Sequence, residues 1–173
     1  MKITHTKKGF TLIELLVVIA IIGILSATVV TSLASAQEKA RDAKRISDVR
    51  ELQQALDIYQ IKNGKYPITN WTCSYEGSWQ TSPLAVGLEA YMPNLPVDPV
   101  NEDTNRSVGG YLNYCYYSQN YGGSGDWYMI TFTLEQQNTE LDLIDGSTSC
   151  NDSFFNYGGN DGYIITKGGD CIQ

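Results

Sequence analysis

The hydrophobic pattern begins with an apolar stretch that continues into an amphipathic one. Residues 10–30 are almost wholly apolar, and about twenty apolar residues are enough for a helix to span a bilayer. No proline or glycine occurs from Ile24 to Asn63, so we predict one long helix over residues 10–62. Apolar side chains in its second half recur at steps of three and four and need a partner surface. They are Ile46, Val49, Leu52, Leu56 and Tyr59.

The remainder of the chain has the sequence patterns of an irregular segment followed by β-strands. Gly64 and Pro67 are a helix stop signal, and residues 66–110 are predicted to be irregular. Apolar and polar residues alternate over 127–135, which is typical of a strand with one buried face. We predict further strands at 111–117 and 163–167, and an antiparallel sheet whose apolar face covers the helix stripe. The predicted fold class is therefore α+β: a long N-terminal α-helix, transmembrane in its first half, packed on a small antiparallel β-sheet.

Charge is distributed as unevenly as hydrophobicity. Residues 1–9 carry three lysines, residues 10–62 are balanced, and residues 63–173 have thirteen acidic and three basic side chains. The lysines indicate a cytoplasmic N-terminus. The acidic C-terminal region argues against nucleic-acid binding, which needs clustered basic residues. We therefore predict a leader at 1–9, a long helix at 10–62, of which 10–30 crosses the membrane, and a globular head at 63–173.

The four cysteines all follow the apolar stretch, at Cys73, Cys115, Cys150 and Cys171. They form no C-x-x-C pair, and the only histidine lies in the leader, so a zinc site is not expected. Two disulfides in an oxidising compartment agree better with this spacing. Four cysteines allow three pairings, of which nearest-neighbour closure favours Cys73–Cys115 and Cys150–Cys171.

One acidic residue, Glu14, interrupts the apolar stretch. A charge in the hydrocarbon core costs about 2.5–3.5 kcal/mol even on the lowest scale, so such a residue is a functional hypothesis by default. The segment Gly9-Phe10-Thr11-Leu12-Ile13-Glu14 follows two lysines, and it resembles the class III signal of type IV pilins and pseudopilins. The resemblance implies cleavage between Gly9 and Phe10 by a prepilin peptidase and N-methylation of Phe10. It also implies that Glu14 pairs with a neighbouring subunit's N-terminus during filament assembly.

Two further segments, 63–67 and 95–99, are similar to segments of the major pseudopilin group. They read Asn-Gly-Lys-Tyr-Pro and Leu-Pro-Val-Asp-Pro. One position departs from the family pattern: Thr31 stands where many members have a proline, so a proline-associated kink is not expected there.

Small residues recur on one face of the predicted membrane helix. Gly23, Ala27, Thr31 and Ala34 are spaced by four and three residues, and small side chains let membrane helices approach closely. We predict that this face packs against the helices of other subunits.

The function predicted from these features is structural. The chain is expected to be a subunit of a type IV pilus-like filament, with the major pseudopilin of a type II secretion system as the alternative. The predicted partners are copies of itself, the prepilin peptidase, a membrane assembly platform, minor pilins and, before assembly, the membrane. The subunit is expected to be a single-pass membrane protein and then part of an extracellular or periplasmic filament.

An ordinary secretory signal with an Ala34-Ser35-Ala36 cleavage site, or a plain membrane anchor, would also explain the apolar stretch. Neither explains Glu14. An enzyme is not predicted, because the head lacks histidine, and its scattered acids, such as Asp142 and Asp145, are typical of solvated loops. No cofactor is predicted. If calcium binds, as the pseudopilin resemblance suggests, Asp152, Asn160 and Asp161 are the candidate ligands.

Overall fold

The computed structural model describes residues 9–102, 112–119, 124–136, 147–148, 154–155 and 162–168. The chain divides into two compact units, Met1–Glu38 and Lys39–Gln173. The first contains the apolar part of the long helix, and the second contains the rest of the helix and the sheet.

The long helix, α1, covers Leu12–Asn63, which agrees with the predicted 10–62 within two residues. The backbone is helical through Thr31, where the family pattern would place a proline. The helix ends at Gly64, which has a φ of 76° and donates its N–H to the carbonyl of Gln60 at 2.8 Å. A left-handed glycine of this kind satisfies a terminal helix carbonyl at little steric cost, so the predicted stop signal at Gly64 is confirmed.

The sheet is antiparallel and has four strands in the order β1-β2-β3-β6. Two short strands, β4 and β5, pair separately. The six strands are β1 Thr72–Cys73, β2 Cys115–Tyr117, β3 Trp127–Thr133, β4 Ser147–Thr148, β5 Phe154–Phe155 and β6 Gly162–Gly168. The three strands predicted from the sequence correspond to β2, β3 and β6, and the α+β architecture is confirmed.

The core forms where one face of β3 meets the stripe of α1. Val49, Leu52 and Leu56 are buried in one cluster with alternate residues of β3, and Ile46 and Tyr59 pack against it half-buried. The β3 contributors are Tyr128, Ile130 and Phe132. The predicted burial of the helix stripe by the sheet is therefore correct.

The segment 66–110, predicted to be irregular, contains structure that the sequence pattern did not reveal. It holds β1, a 3₁₀ turn at Trp79–Thr81 and a second helix, α2, at Pro83–Leu88. The Ser82 hydroxyl caps α2 by accepting the N–H of Ala85 at 3.3 Å. Because α2 has only six residues, it is too short to produce a clear helical period.

One of the two favoured disulfides lies within the described residues. Cys73 and Cys115 are directly opposite each other on β1 and β2 and are joined by a disulfide. The bridge closes the chain around the 3₁₀ turn and α2. Cys150 and Cys171, the other predicted pair, lie outside the described residues.

Candidate functional site

The predicted processing site lies just before the first turn of α1. Gly9 and Phe10 are exposed and non-helical, and the Phe10 side chain is 85% accessible. Among the described residues, nothing lies within 4 Å of where a Cβ on Gly9 would stand, and Gly9 is not among the glycines with a positive φ. The described residues therefore leave the Gly9–Phe10 bond uncovered.

Glu14 is held at the helix N-terminus by Thr11. Its Oε2 accepts the Thr11 backbone N–H at 2.8 Å and the Thr11 hydroxyl at 2.6 Å, and its own N–H donates to that hydroxyl oxygen at 3.3 Å. This reciprocal arrangement is a capping box. The Thr-x-x-Glu spacing is the signal of this cap in the sequence, whereas the prediction for Glu14 concerned only its pairing with an N-terminal amine.

The residues that follow Glu14 are apolar and exposed on every side of α1. The accessible fractions include 61% for Leu15, 61% for Ile19 and 69% for Ile24. The described chain holds one helix that is long and apolar enough to cross a membrane, Leu12–Asn63, with a mean hydropathy of 2.7 in its most apolar window. A helix that is apolar all round needs an apolar surrounding, either lipid or other helices.

The predicted packing face is open within the first unit. Gly23, Ala27 and Ala34 are exposed, and nothing lies within 4 Å of a Cβ built on Gly23. Glycine inside a helix costs about 1 kcal/mol relative to alanine, and no contact in the described chain requires it. The side chain of Thr31 lies outside the part of the chain that the structure describes.

The second unit, Lys39–Gln173, contains a buried charge network that we did not predict. Arg45 is fully buried and forms a two-point contact with Asp98, from Nε at 2.7 Å and Nη2 at 3.0 Å. Its Nη1 donates to Asp42 and to Glu135, each at 2.7 Å. Arg41 forms a second ion pair with Glu135. These five residues join α1, the segment after α2 and the end of β3.

Asp98 explains why the Leu-Pro-Val-Asp-Pro segment carries an acid. Besides Arg45, its Oδ1 accepts the backbone N–H groups of Val100 at 2.8 Å and Asn101 at 3.2 Å. The carboxylate therefore fixes the turn after the motif and attaches it to the helix. Both carboxylate oxygens of Asp98 are used in these structural hydrogen bonds.

Charge pairing alters the ionisation of the network. The hydrogen bond from Arg41 lowers the pKa of Glu135 to about 2 against the opposing effect of burial, and Arg45 contributes to the lowering. Burial by itself would lower the pKa of Arg45, but its hydrogen bonds to Asp98 and Glu135 outweigh that effect and raise it. Arg45 and Glu135 are therefore both charged throughout the physiological range.

The candidate metal ligands and most candidate catalytic acids lie outside the residues that the structure describes. Asp152, Asn160 and Asp161, the calcium candidates, are outside the described residues, as are Asp142 and Asp145. Among the described residues, no group of three or more His, Cys, Asp or Glu side chains is arranged to hold a metal ion.

Comparison with known proteins gives two family matches. Residues 4–30 match the prokaryotic N-terminal methylation motif, and residues 32–114 match type II secretion system protein G. No solved structure matches the chain.

Individual relatives agree with the family matches. The type II secretion system core protein G of Escherichia coli strain K12 is 42% identical over 106 residues, covering 60% of this chain and 73% of that protein. The core protein G of Vibrio cholerae is 36% identical, covering 60% and 72%, and that of Klebsiella pneumoniae is 46% identical, covering 56% and 71%. The sequence prediction placed a type IV pilus first, but these matches favour its alternative. The chain belongs to the type II secretion system core protein G family.

Proposed function

We propose that the mature chain is the major structural subunit of a pseudopilus, the short filament of a type II secretion system. The observation that carries the proposal is a single acid, Glu14, at the N-terminus of an exposed apolar helix, directly after an accessible Gly9–Phe10 bond. The family match over residues 32–114 supports the pseudopilus over a surface pilus.

The proposed sequence of events begins in the membrane. A prepilin peptidase cuts between Gly9 and Phe10, and the new Phe10 amine is methylated. Before assembly, the subunit is held in the membrane by residues 12–30 with its head on the far side. An assembly platform and minor pilins then add it to the filament, which extends into the periplasm.

The capping box gives Glu14 two roles in this scheme. In a single subunit, the bonds from Thr11 partly offset the cost of placing the carboxylate in lipid. Both of those bonds end on Oε2, so Oε1 remains able to accept the Phe10 ammonium of a neighbouring subunit. The filament replaces lipid with helix contacts along the face that contains Gly23, Ala27, Thr31 and Ala34.

The test uses two variants in cells that depend on the chain for secretion. Gly9→Leu should block cleavage and leave an uncut Met1 in the intact mass. Glu14→Ala should be cleaved and should form the Cys73–Cys115 disulfide, but it should abolish filaments and secretion. Glu51→Ala, which removes an exposed acid from the same helix, is the matched control and should behave as the unaltered chain.

Normal filaments and secretion from both Gly9→Leu and Glu14→Ala would contradict the proposal. Surface pili without any secretion defect on deletion of the chain would instead indicate the pilus function.

A further inference from the structure

The part of α1 between its apolar half and its packed half carries a second cleavage motif. The segment Ala34-Ser35-Ala36 places alanine immediately before the Ala36–Gln37 bond and two positions earlier, which is the pattern that membrane-bound leader peptidases recognise. The segment belongs to the first unit, Met1–Glu38, and lies close to its end. Neither the predicted leader cut nor the filament pairing uses this motif.

The motif is accessible on a stretch of α1 that does not pack into the core. Ala34, Ala36 and Gln37 are exposed, and among the described side chains of α1 none before Asp42 is buried. Helices in proteins gain most of their stability from tertiary packing, and serine has a lower helix propensity than alanine. The backbone can therefore open locally here without disrupting the core, and a peptidase needs such an opening to reach the bond.

The position along the chain agrees with the same class of enzyme. In the proposed function, residues 12–30 cross the membrane and the head lies on the far side. Residue 36 follows the end of that span by about 9 Å of helix, so the Ala36–Gln37 bond meets the outer surface of the membrane. Secretory signal peptides are cut at that surface.

A cut at this bond separates the apolar stretch from everything that folds around the sheet. The main core cluster, the buried charge network and the Cys73–Cys115 disulfide all follow Gln37 in the chain. The removed part contains the whole apolar stretch. The product therefore keeps its core but has lost both the membrane anchor and the helix that would assemble a filament.

We propose that the Ala36–Gln37 bond is a second processing site, at which a membrane-bound peptidase hydrolyses subunits that have not entered the filament. The C–N bond of the peptide breaks, and water supplies the hydroxyl of the new Ala36 carboxyl group and a proton for the new Gln37 amine. Subunits in the filament are protected, because their apolar helices pack against one another. The proposal rests on the proposed filament function and adds a route that removes unassembled subunits as soluble fragments.

The test measures intact masses in the soluble fraction of the cells and in the medium. The unaltered chain should yield a fragment that begins at Gln37, with or without the loss of ammonia that an N-terminal glutamine undergoes. Ala36→Leu should lower the share of this fragment about tenfold, because a large residue before the cut does not fit a pocket for small ones. Ala36→Ser keeps a small residue and should retain the fragment. Ala40→Leu, the same change at another exposed position of α1, is the matched control and should leave the share unchanged.

Blocked assembly tests the link to the filament. Glu14→Ala should raise the share of the fragment, because more subunits remain in the membrane. The inference is overturned if no fragment begins at Gln37, if Ala36→Leu and Ala40→Leu have equal effects, or if Glu14→Ala loses its filaments without a rise in the fragment. Normal filaments from Glu14→Ala would count against the proposed function instead, and the Ala36 variants would then still decide whether the second site exists.

Discussion

Asp98 belongs to the Leu-Pro-Val-Asp-Pro segment and forms an ion pair with the buried Arg45. We expect Asp98→Asn to lower the free energy of unfolding by about 3–5 kcal/mol, because it leaves the fully buried Arg45 without its two-point partner. Urea denaturation of the head measures the change. Asp57→Asn is the matched control: its partner Lys167 is about half exposed, so the loss there should be under about 1 kcal/mol. Equal losses in the two variants would show that Arg45 does not depend on Asp98.

Glu135 makes the stability of the head depend on pH. Its pKa is lowered to about 2 in the folded chain by Arg41 and Arg45, whereas an unfolded glutamate titrates near 4.3. The stabilisation is therefore complete above about pH 4.5 and is lost as the pH falls towards 2. We expect a fall in melting temperature over this range that is smaller in Glu135→Gln. If the melting temperature falls equally in the unaltered chain and in Glu135→Gln, the pH dependence arises from other carboxylates.

Residues differ in how far the sequence alone reveals their function. Glu14 was recognisable because a charge in an apolar stretch has no ordinary explanation. Arg45 was not, because an arginine on an amphipathic helix normally lies in solvent. Its partners Asp98 and Glu135 are 53 and 90 positions away, and no local pattern connects residues at that distance.

At the scale of elements, the Cys73–Cys115 bridge holds β1 against β2 and encloses α2. We expect Cys73→Ala/Cys115→Ala to destabilise the head by about 4 kcal/mol, since the unfolded chain regains the freedom of a loop with a sequence separation of 42. Thermal unfolding of the head measures the loss. Addition of a reductant to the unaltered head should produce a similar decrease. An unchanged melting temperature in the variant would contradict a stabilising function for the bridge.

The elements whose bounds the sequence predicted most closely by pattern were those with a clear period. α1 has an apolar stripe several turns long, and β3 alternates over seven residues, so both were predicted to within two residues of their bounds. β1 and α2 have two and six residues, too few for a period to appear. Their positions depend on tertiary partners: the disulfide for β1, and the packing of Gly87 against Tyr59 and Pro67 for α2.

At the scale of the whole molecule, the family matches and the fold divide the chain differently. The match to protein G ends at residue 114, just before β2, so most of the sheet lies beyond it. Glu135, which completes the charge network, also lies beyond it. The relationship to the family therefore rests on α1 and the Asp98 segment, while the sheet is where this chain can differ from its relatives.

The second unit, Lys39–Gln173, contains every residue of the main core cluster, so it should fold without the apolar part of α1. A fragment of residues 39–173 should be soluble, should unfold in one cooperative step and should retain the Cys73–Cys115 disulfide. It should sediment as a monomer, because it lacks the exposed apolar part of α1 and carries the acidic excess of the head. The full chain should require detergent, since the apolar side chains in the first half of α1 are exposed in the part of the chain that the structure describes.

The same fragment should form no filaments at any concentration at which the processed full chain assembles in membranes. Contacts between the exposed polar surfaces of two fragments should be weak, because an exposed ion pair contributes only about 0–1 kcal/mol, which is too little to offset the entropy of association. Electron microscopy of the fragment at high concentration measures this. Ordered filaments from the fragment would show that contacts outside the apolar part of α1 are sufficient for assembly and that this part serves only as an anchor.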